Sequence, residues 1–142
     1  MKIIIMSRAQ VKKFSYYPHD EKIAVISISD CDKDYPILNN NKKNGIAHIC
    51  KFHFDDVEES GLHCISENDA GHIASFIGRV KDNIDMLIVH CEAGISRSAG
   101  VAAAIMKFIN DDDTVVFDNP MFHPNMTCYK KVLNAFQENQ RG

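Results

Sequence analysis

The 142-residue sequence has no apolar run long enough to form a transmembrane helix. The apolar run at residues 3–6 is too short for the core of a signal peptide, and no small-residue cleavage pattern follows it. An excess of positive charge is also missing, since the formal net charge is -3, whereas a general nucleic-acid binder needs a basic face. These absences predict a cytoplasmic protein with no membrane partner and no general nucleic-acid partner.

Closely spaced cysteine pairs are absent as well. The five cysteines are an odd number and include no Cys-x-x-Cys pair, which indicates reduced thiols rather than a disulfide framework. A zinc site could be drawn from the histidines and cysteines at positions 48, 50, 53 and 64, but their spacing matches no common zinc pattern. We interpret that segment as a strand with mixed polar residues, and we expect no metal and no cofactor.

What the sequence does contain is an alternation of strand and helix patterns. Segments rich in Ile and Val predict strands at about residues 2–6, 23–28, 46–52 and 86–89, with a weaker candidate at 115–117. Helices are predicted at about 67–81, behind a capping-box pattern of Ser66 and Asp69, at about 97–109, and after Pro124, where Asn125 is expected to be a cap. This alternation predicts one α/β domain over residues 1–142, with a mostly parallel central sheet flanked by helices.

In such sheets the active site lies beyond the carboxyl ends of the strands. One connection there is rich in reactive residues, because the strand at 86–89 leads into a helix of small residues through the segment His90-Cys91-Glu92-Ala93-Gly94-Ile95-Ser96-Arg97-Ser98. A loop of this kind directs several backbone N–H groups and the positive end of the helix dipole into one space. Arg97 adds a planar fork that can bind two phosphate oxygens, and the positive surroundings favour the thiolate of Cys91.

Three further residues of this segment have supporting roles in the same interpretation. Gly94 permits backbone torsions or a close approach that a side chain would obstruct. Ser98 can donate its hydroxyl to the Cys91 thiolate, which helps most when that thiolate must leave again. His90 is expected to order the loop through hydrogen bonds rather than to act as a base.

The pattern H-C-x-x-G-x-x-R-S is the signature of the cysteine-based protein tyrosine phosphatase superfamily. The sequence resembles the small dual-specificity-like branch of that superfamily, and HCEAGISRS is especially similar to small bacterial members. The resemblance is sharp over about residues 88–100 and loose over about 23–136. It implies a phosphatase-like α/β fold with the phosphate-binding loop between a strand and a helix.

The resemblance also implies a two-step mechanism. Cys91 attacks phosphorus and forms a phosphocysteine while an acid protonates the leaving oxygen, and water then hydrolyses the intermediate with the same group acting as base. The substrate would be a phosphorylated protein or another phosphate ester, no metal would be required, and we expect a monomer. The phosphate would be held by the Arg97 side chain and by the backbone amides of Glu92, Ala93, Gly94, Ile95, Ser96 and Arg97.

The general acid of this family is an Asp on a loop a few tens of residues before the Cys, which here indicates Asp55 or Asp56. Both follow the strand predicted at 46–52. In strand geometry Asp56 shares a side with Phe52 and Phe54, and partial burial among them would help it to hold a proton near neutral pH. We therefore expect Asp56 to be the acid, with Asp55 as the alternative.

The sequence has no tryptophan, so it lacks the WPD form of the acid loop of the large tyrosine-specific enzymes. It also lacks a recognisable phosphotyrosine-binding loop near its N-terminus, which leaves phosphoserine, phosphothreonine, a small molecule or an RNA end as alternative substrates. The acidic net charge disfavours RNA. A rhodanese- or Cdc25-like enzyme and a non-catalytic phosphate-binding module are further alternatives. Ser98 and the helix of small residues after it fit a phosphatase better than the first, and intact Cys91 and Arg97 with an available Asp argue against the second.

Overall fold

The computed structural model describes residues 1–59 and 61–141. Four of the five predicted strands and all three predicted helices are present, with ends that differ from the prediction by one or two residues. In chain order the elements are β1 (Lys2–Ser7), α1 (Arg8–Phe14), β2 (Ile23–Ser29), a short 3-10 turn (Lys42–Asn44), β3 (Ile46–His53), α2 (Glu67–Val80), β4 (Met86–Cys91), α3 (Arg97–Asn110), α4 (Thr114–Phe117) and α5 (Met126–Arg141).

The four strands form one parallel sheet in the order β1-β4-β2-β3, which confirms the predicted α/β class. Strands β2 and β4 lie in the centre and are buried along their whole length, as expected for strands covered on both faces. All strands run in the same direction, so their last residues, Ser7, Ser29, His53 and Cys91, lie at one edge of the sheet. That edge positions the candidate site.

Helices cover the two faces of the sheet unequally. On one face, α1 inserts Val11 among the strand residues Val25 and Ile88, and forms a small core. On the other face, α2, α3 and α5 pack against the opposite side chains of β2 and β4, such as Ile26 and Val89, and form the larger core. This larger core holds α3 directly behind the carboxyl edge of the sheet.

Two predicted helix caps are confirmed. The hydroxyl of Ser66 accepts a hydrogen bond from the backbone of Asp69, and the Asp69 carboxylate accepts one from the backbone of Ser66, so α2 begins with a complete capping box. Asn125 caps α5, because its Oδ1 accepts a hydrogen bond from the backbone N–H of Cys128 at 3.0 Å.

Two short elements differ from the prediction. The strand predicted at 115–117 is wrong, because these residues belong to α4, where the carboxylate of Asp112 accepts from the backbone N–H of Thr114 at 2.9 Å and Val116 is buried. Helix α1 was not predicted, since its seven residues are too few for a clear apolar period. A reciprocal capping box of Ser7 and Gln10 at its start was the available signal.

None of the described helices is both long and apolar enough to cross a membrane. All five cysteines are free, as the lack of paired spacing predicted. The histidine at position 48 and the cysteine at position 50 lie on β3, which agrees with the interpretation of that segment as a strand.

Candidate active site

The candidate nucleophile, Cys91, is the last residue of the central strand β4, and α3 begins six positions later at Arg97. Its side chain is buried, with 2% of the residue exposed. The Sγ atom lies 3.1 Å from the hydroxyl oxygen of Ser98, which is itself fully buried. The structure therefore brings Cys91 and Ser98 into hydrogen-bond contact, as the sequence analysis expected of a hydroxyl that supports a thiolate.

The loop between Cys91 and Ser98 is held in place by hydrogen bonds that its backbone carbonyls accept from other segments of the chain. The peptide bond is trans, so an N–H points opposite to the carbonyl of the same peptide unit. Anchoring three carbonyls therefore turns the N–H groups of residues 93, 96 and 97 away from the anchoring segments. The three bonds run from the backbone N–H of Arg8 to Glu92 (3.1 Å), of His123 to Ile95 (3.0 Å) and of Asn125 to Ser96 (2.9 Å).

Gly94 lies at the tightest point of this loop. Its φ is +71°, and a Cβ atom on it would lie 2.6 Å from the backbone nitrogen of Ser7 at the end of β1. Both facts require glycine, because an L side chain is strained in this region of φ and the obstructing atom is backbone. The close approach that the sequence predicted at Gly94 is thus a contact with the neighbouring strand.

The N-terminus of α3 is left without a side-chain cap. Ser96 occupies the cap position, but its hydroxyl accepts no hydrogen bond from the first turn and instead donates to Oδ1 of Asp56 at 2.8 Å. The first N–H groups of a helix carry partial positive charge, and an uncapped terminus offers them to an anion.

The guanidinium of Arg97 is buried, with 5% of the residue exposed, and its contacts with the protein are made through Nη1. Its Nη1 donates to the carbonyl of Phe54 at 2.7 Å and lies 2.7 Å from a carboxylate oxygen of Asp30. Its Nε is buried and has no hydrogen-bond partner within the described part of the chain. A buried donor without a partner is costly, so the arrangement leaves Arg97 with a donor free for an external acceptor.

Asp56 lies against the loop, although not as the sequence argument supposed. Its side chain is exposed rather than buried beside Phe52 and Phe54, because the strand alternation stops at His53, where β3 ends. What positions its carboxylate is polar contact, since Oδ1 accepts from the hydroxyl of Ser96 at 2.8 Å and from Nδ2 of Asn125 at 3.0 Å.

Asp55 is directed elsewhere. Its carboxylate accepts a hydrogen bond from the backbone N–H of Cys31 at 2.9 Å and lies 3.9 Å from Nδ1 of His63. The hydrogen bond from Cys31 is the main cause that holds the pKa of Asp55 below its usual range. A carboxyl group that stays ionised is a poor proton donor near neutral pH, so the contacts of Asp55 and its lowered pKa both disfavour it as the acid.

Comparison with known proteins agrees with this fold. No protein-family model matches the chain. Over 119 residues it is 28% identical to protein 123R of Invertebrate iridescent virus 6, which is named as a candidate tyrosine phosphatase, and the match spans 73% of this chain and 78% of that protein. The structure of human DUSP28 superposes with a TM-score of 0.59 at 14% identity, covering 98% of this chain and 94% of that one. The fold is that of the dual-specificity and tyrosine phosphatases.

A second human structure, the tyrosine phosphatase-like serine/threonine/tyrosine-interacting protein, gives a TM-score of 0.61 at 15% identity and covers 98% of this chain and 91% of that one. The resemblance carried by HCEAGISRS is therefore confirmed at the level of the phosphatase fold. Together with the viral relative, these findings support a cysteine-dependent phosphatase.

Within this phosphatase fold, His90 is a buried neutral residue. Burial is the main cause that lowers its pKa from 6.5 to about 4. The neutral ring has one N–H, and the neighbours assign it to Nδ1, which lies 3.3 Å from the carbonyl oxygen of Cys91, while Nε2 accepts from the hydroxyl of Ser27 at 2.6 Å. His90 thus holds the carbonyl of the nucleophile's own peptide, an arrangement that suits the ordering role expected from the sequence.

Glu92 forms part of the rim of the site. Its carboxylate lies 3.6 Å from Nζ of Lys33, and both side chains are nearly half exposed. Lys33 also lies 3.7 Å from Asp30, the partner of Arg97. Neither Lys33 nor Asp30 was predictable from the sequence, because nothing in their local pattern marks them and only the pairing of β2 beside β4 brings them to the loop.

Proposed function

We propose that this chain is a protein tyrosine or dual-specificity phosphatase that acts through a phosphocysteine intermediate. One observation carries the proposal: the buried Sγ of Cys91 begins a loop whose carbonyls are anchored outward, and the same loop ends in a buried Arg97 with an unpartnered Nε. A nucleophile, a set of N–H donors and a guanidinium donor thus belong to one short loop, a combination that suits a tetrahedral oxyanion. Residues 1–142 form the catalytic domain in this proposal.

In the first step the thiolate of Cys91 attacks phosphorus, so that an S–P bond forms and the bond to the ester oxygen breaks. The three non-bridging oxygens accept hydrogen bonds from the backbone amides of residues 92–97 and from Arg97. Asp56 gives its proton to the departing oxygen, which leaves as an alcohol or phenol. Asn125 and Ser96, which both donate to Asp56, position its carboxyl group over the loop.

In the second step water attacks phosphorus and the S–P bond breaks. Asp56, now ionised, accepts a proton from that water, and inorganic phosphate is released. The electron pair returns to Cys91 as a thiolate, toward which the hydroxyl of Ser98, 3.1 Å away, donates a hydrogen bond.

The fold alone does not separate an enzyme from a non-catalytic phosphate-binding module, and one of the similar structures is named only as phosphatase-like. The presence of Cys91, Ser98 and Asp56 together favours catalysis, because binding a phosphate group needs neither a nucleophile nor an acid. A small-molecule or RNA-end substrate would use the same chemistry, but no observation favours it. A monomer in a reducing, cytoplasmic setting suits the five free cysteines.

The test is a substrate panel of phosphotyrosine, phosphoserine and phosphothreonine peptides, phosphoinositides and nucleotides, assayed with the wild type, Cys91→Ser and Cys50→Ser. Cys50 lies on the edge strand β3 and serves as a control for the loss of a thiol. We expect turnover of phosphopeptides by the wild type and by Cys50→Ser, and none by Cys91→Ser, which still binds vanadate and traps the substrate. Substantial turnover by Cys91→Ser would refute the nucleophile, and turnover of nucleotides alone would refute the protein substrate.

A further inference from the structure

Outside the phosphate loop, three metal-ligating side chains converge on one point of the same edge of the sheet. They are the thiol of Cys31, the carboxylate of Asp55 and the imidazole of His63, and one ligand atom from each lies within 4.8 Å of the other two. Cys31 comes from the segment after β2, Asp55 from the segment after β3, and His63 from the loop before α2. None of the three has a role in the two-step mechanism.

The backbone holds these three residues together independently of any ligand. The N–H of Cys31 donates to one carboxylate oxygen of Asp55 at 2.9 Å, and the N–H of Asp55 donates to the carbonyl of His63 at 2.6 Å. The second carboxylate oxygen of Asp55 then faces Nδ1 of His63 at 3.9 Å. The main chain is therefore already in place, and only side-chain torsions remain to be adjusted.

We propose that Cys31, Asp55 and His63 form a zinc-binding site beside the phosphate loop. Thiolate, imidazole and carboxylate are the zinc ligands of proteins, and three of them leave the fourth tetrahedral position open to water. Bond lengths of about 2.0–2.3 Å place such ligand atoms about 3.4–3.7 Å apart. The three side chains, which are exposed or half-buried, therefore need to move about 1 Å closer together. Binding forms the S–Zn bond and releases the thiol proton of Cys31 to water. Magnesium and calcium, which prefer oxygen ligands, do not suit this set.

The position of the proposed site implies that a bound ion would stabilise the segments that contact Arg97. Cys31 follows Asp30, which pairs with Arg97, and Asp55 lies between Phe54, whose carbonyl binds Arg97, and Asp56. A zinc ion would cross-link the two segments that hold Arg97 and the proposed acid. We therefore expect zinc to raise the thermal stability of the protein as well as to bind it, since a ligand that binds only the native state stabilises it.

The test uses the Cys91→Ser protein, so that the proposed nucleophile cannot bind the metal and the result does not depend on phosphatase activity. Zinc affinity is measured by competition with a chromophoric chelator, and cobalt absorption reports thiolate ligation and tetrahedral geometry. Cys31→Ser and His63→Ala, added singly, are the test variants. Cys50→Ser and His72→Ala are the matched controls, because these residues lie on β3 and on the exposed side of α2.

We expect one equivalent of zinc with a cobalt–thiolate charge-transfer band, and at least about a tenfold loss of affinity in each test variant. The controls should keep the wild-type affinity, and the zinc-dependent rise in Tm should vanish with His63→Ala. The proposal is overturned if Cys91→Ser binds no zinc, if Cys31→Ser and His63→Ala bind as well as the controls, or if cobalt shows no thiolate band. Cys31 and His63 are exposed, so these substitutions leave the core intact.

Discussion

The guanidinium of Arg97 binds neighbouring protein groups through one nitrogen and leaves another nitrogen for a ligand, which a lysine cannot do. Nη1 is occupied by Phe54 and Asp30, whereas Nε is buried and unpartnered within the described residues. A lysine keeps the charge but offers a single nitrogen, so it can satisfy the protein or the phosphate but not both in fixed geometry. For Arg97→Lys we expect a loss of at least about a hundredfold in kcat/KM, or about 2.7 kcal/mol of transition-state stabilisation.

This prediction is measured by steady-state kinetics on a phosphotyrosine peptide, with urea unfolding of the same variant to show that the fold is kept. Lys33→Ala is the matched control, because it removes a positive charge from the rim while Arg97 stays in place. A kcat/KM of Arg97→Lys close to that of the wild type would show that phosphate binding needs only a positive charge.

The two neighbouring carboxylates should differ in their effect on catalysis. We expect Asp56→Asn to lower kcat by about a hundredfold or more with an alkyl phosphate, a poor leaving group, and far less with an activated aryl phosphate. Loss of a general acid should also remove the falling limb of the pH profile at high pH. Asp55→Asn should be mild and independent of the leaving group, because the Asp55 carboxylate is bound to Cys31 and its pKa is held low.

Both variants are assayed with a chelator present, so that a metal at Asp55 does not affect the comparison. If Asp55→Asn rather than Asp56→Asn shows the dependence on leaving group, Asp55 is the acid and the contacts of Asp56 with Ser96 and Asn125 are structural. If neither variant shows a dependence on the leaving group, the proton donor is another residue, and the assignment of Cys91 as the nucleophile is unaffected.

At the scale of elements, α3 meets the segment that begins α5 at Gly100. A Cβ atom on Gly100 would clash with the backbone carbonyl oxygen of Asn125, so Gly100→Ala must push the two elements apart. Overpacking of this kind costs about 1–3 kcal/mol. Because Asn125 also binds Asp56 and Ser96, the displacement should lower kcat as well as the unfolding free energy.

Gly78 provides the control on α2, since a Cβ there would meet nothing within 4 Å. Gly78→Ala should leave kcat unchanged and stabilise the protein by up to about 1 kcal/mol, because alanine favours a helix more than glycine does. Urea unfolding and turnover are measured on both variants. A Gly100→Ala protein with normal kcat and stability would mean that α3 and α5 can shift apart freely.

Elements with strong local signals were predictable from the sequence. The Ile- and Val-rich strands, the capping box at Ser66 and the cap at Asn125 all depend on neighbours within a few positions of the chain. The seven residues of α1 and the single turn of α4 gave too little periodicity. The loop from Cys91 to Arg97 was recognisable because its chemistry is contiguous in the chain.

At the scale of the whole molecule, the partners of that loop were not predictable, because they come from other strands. Asp30 follows β2 and Phe54 follows β3, and the order β1-β4-β2-β3 brings both to Arg97. A hydrophobic pattern predicts that strands exist, but it does not say which strands pair. The same limit explains Asn125, whose role as a cap was predictable and whose hydrogen bond to Asp56, 69 positions away, was not.

The pH dependence of stability is also a property of the whole molecule. Between about pH 6.5 and pH 4, we expect His90 to make a large contribution to it. Its pKa is about 4 in the folded protein and 6.5 in its ordinary state. Above 6.5 neither state holds the proton, so the contribution of the buried neutral ring is fully present. As the pH falls from 6.5 toward 4, the unfolded chain binds a proton that the native protein does not, and stability is lost.

Between pH 7 and pH 5 this loss amounts to about 2 kcal/mol of unfolding free energy for His90 alone. The check is urea unfolding at both values for the wild type and for His90→Asn, whose amide can keep a polar contact with Ser27 but cannot gain charge. The wild type should lose about 2 kcal/mol more than the variant, because the other titrating groups are common to both. NMR titration of the wild-type ring tests the same point without a substitution, and protonation of native His90 near pH 6.5 would contradict it. A ring that stays neutral to about pH 4 keeps Nε2 as the acceptor for Ser27 over that whole range, so the hydrogen bond between β4 and β2 at this point should persist in the native protein.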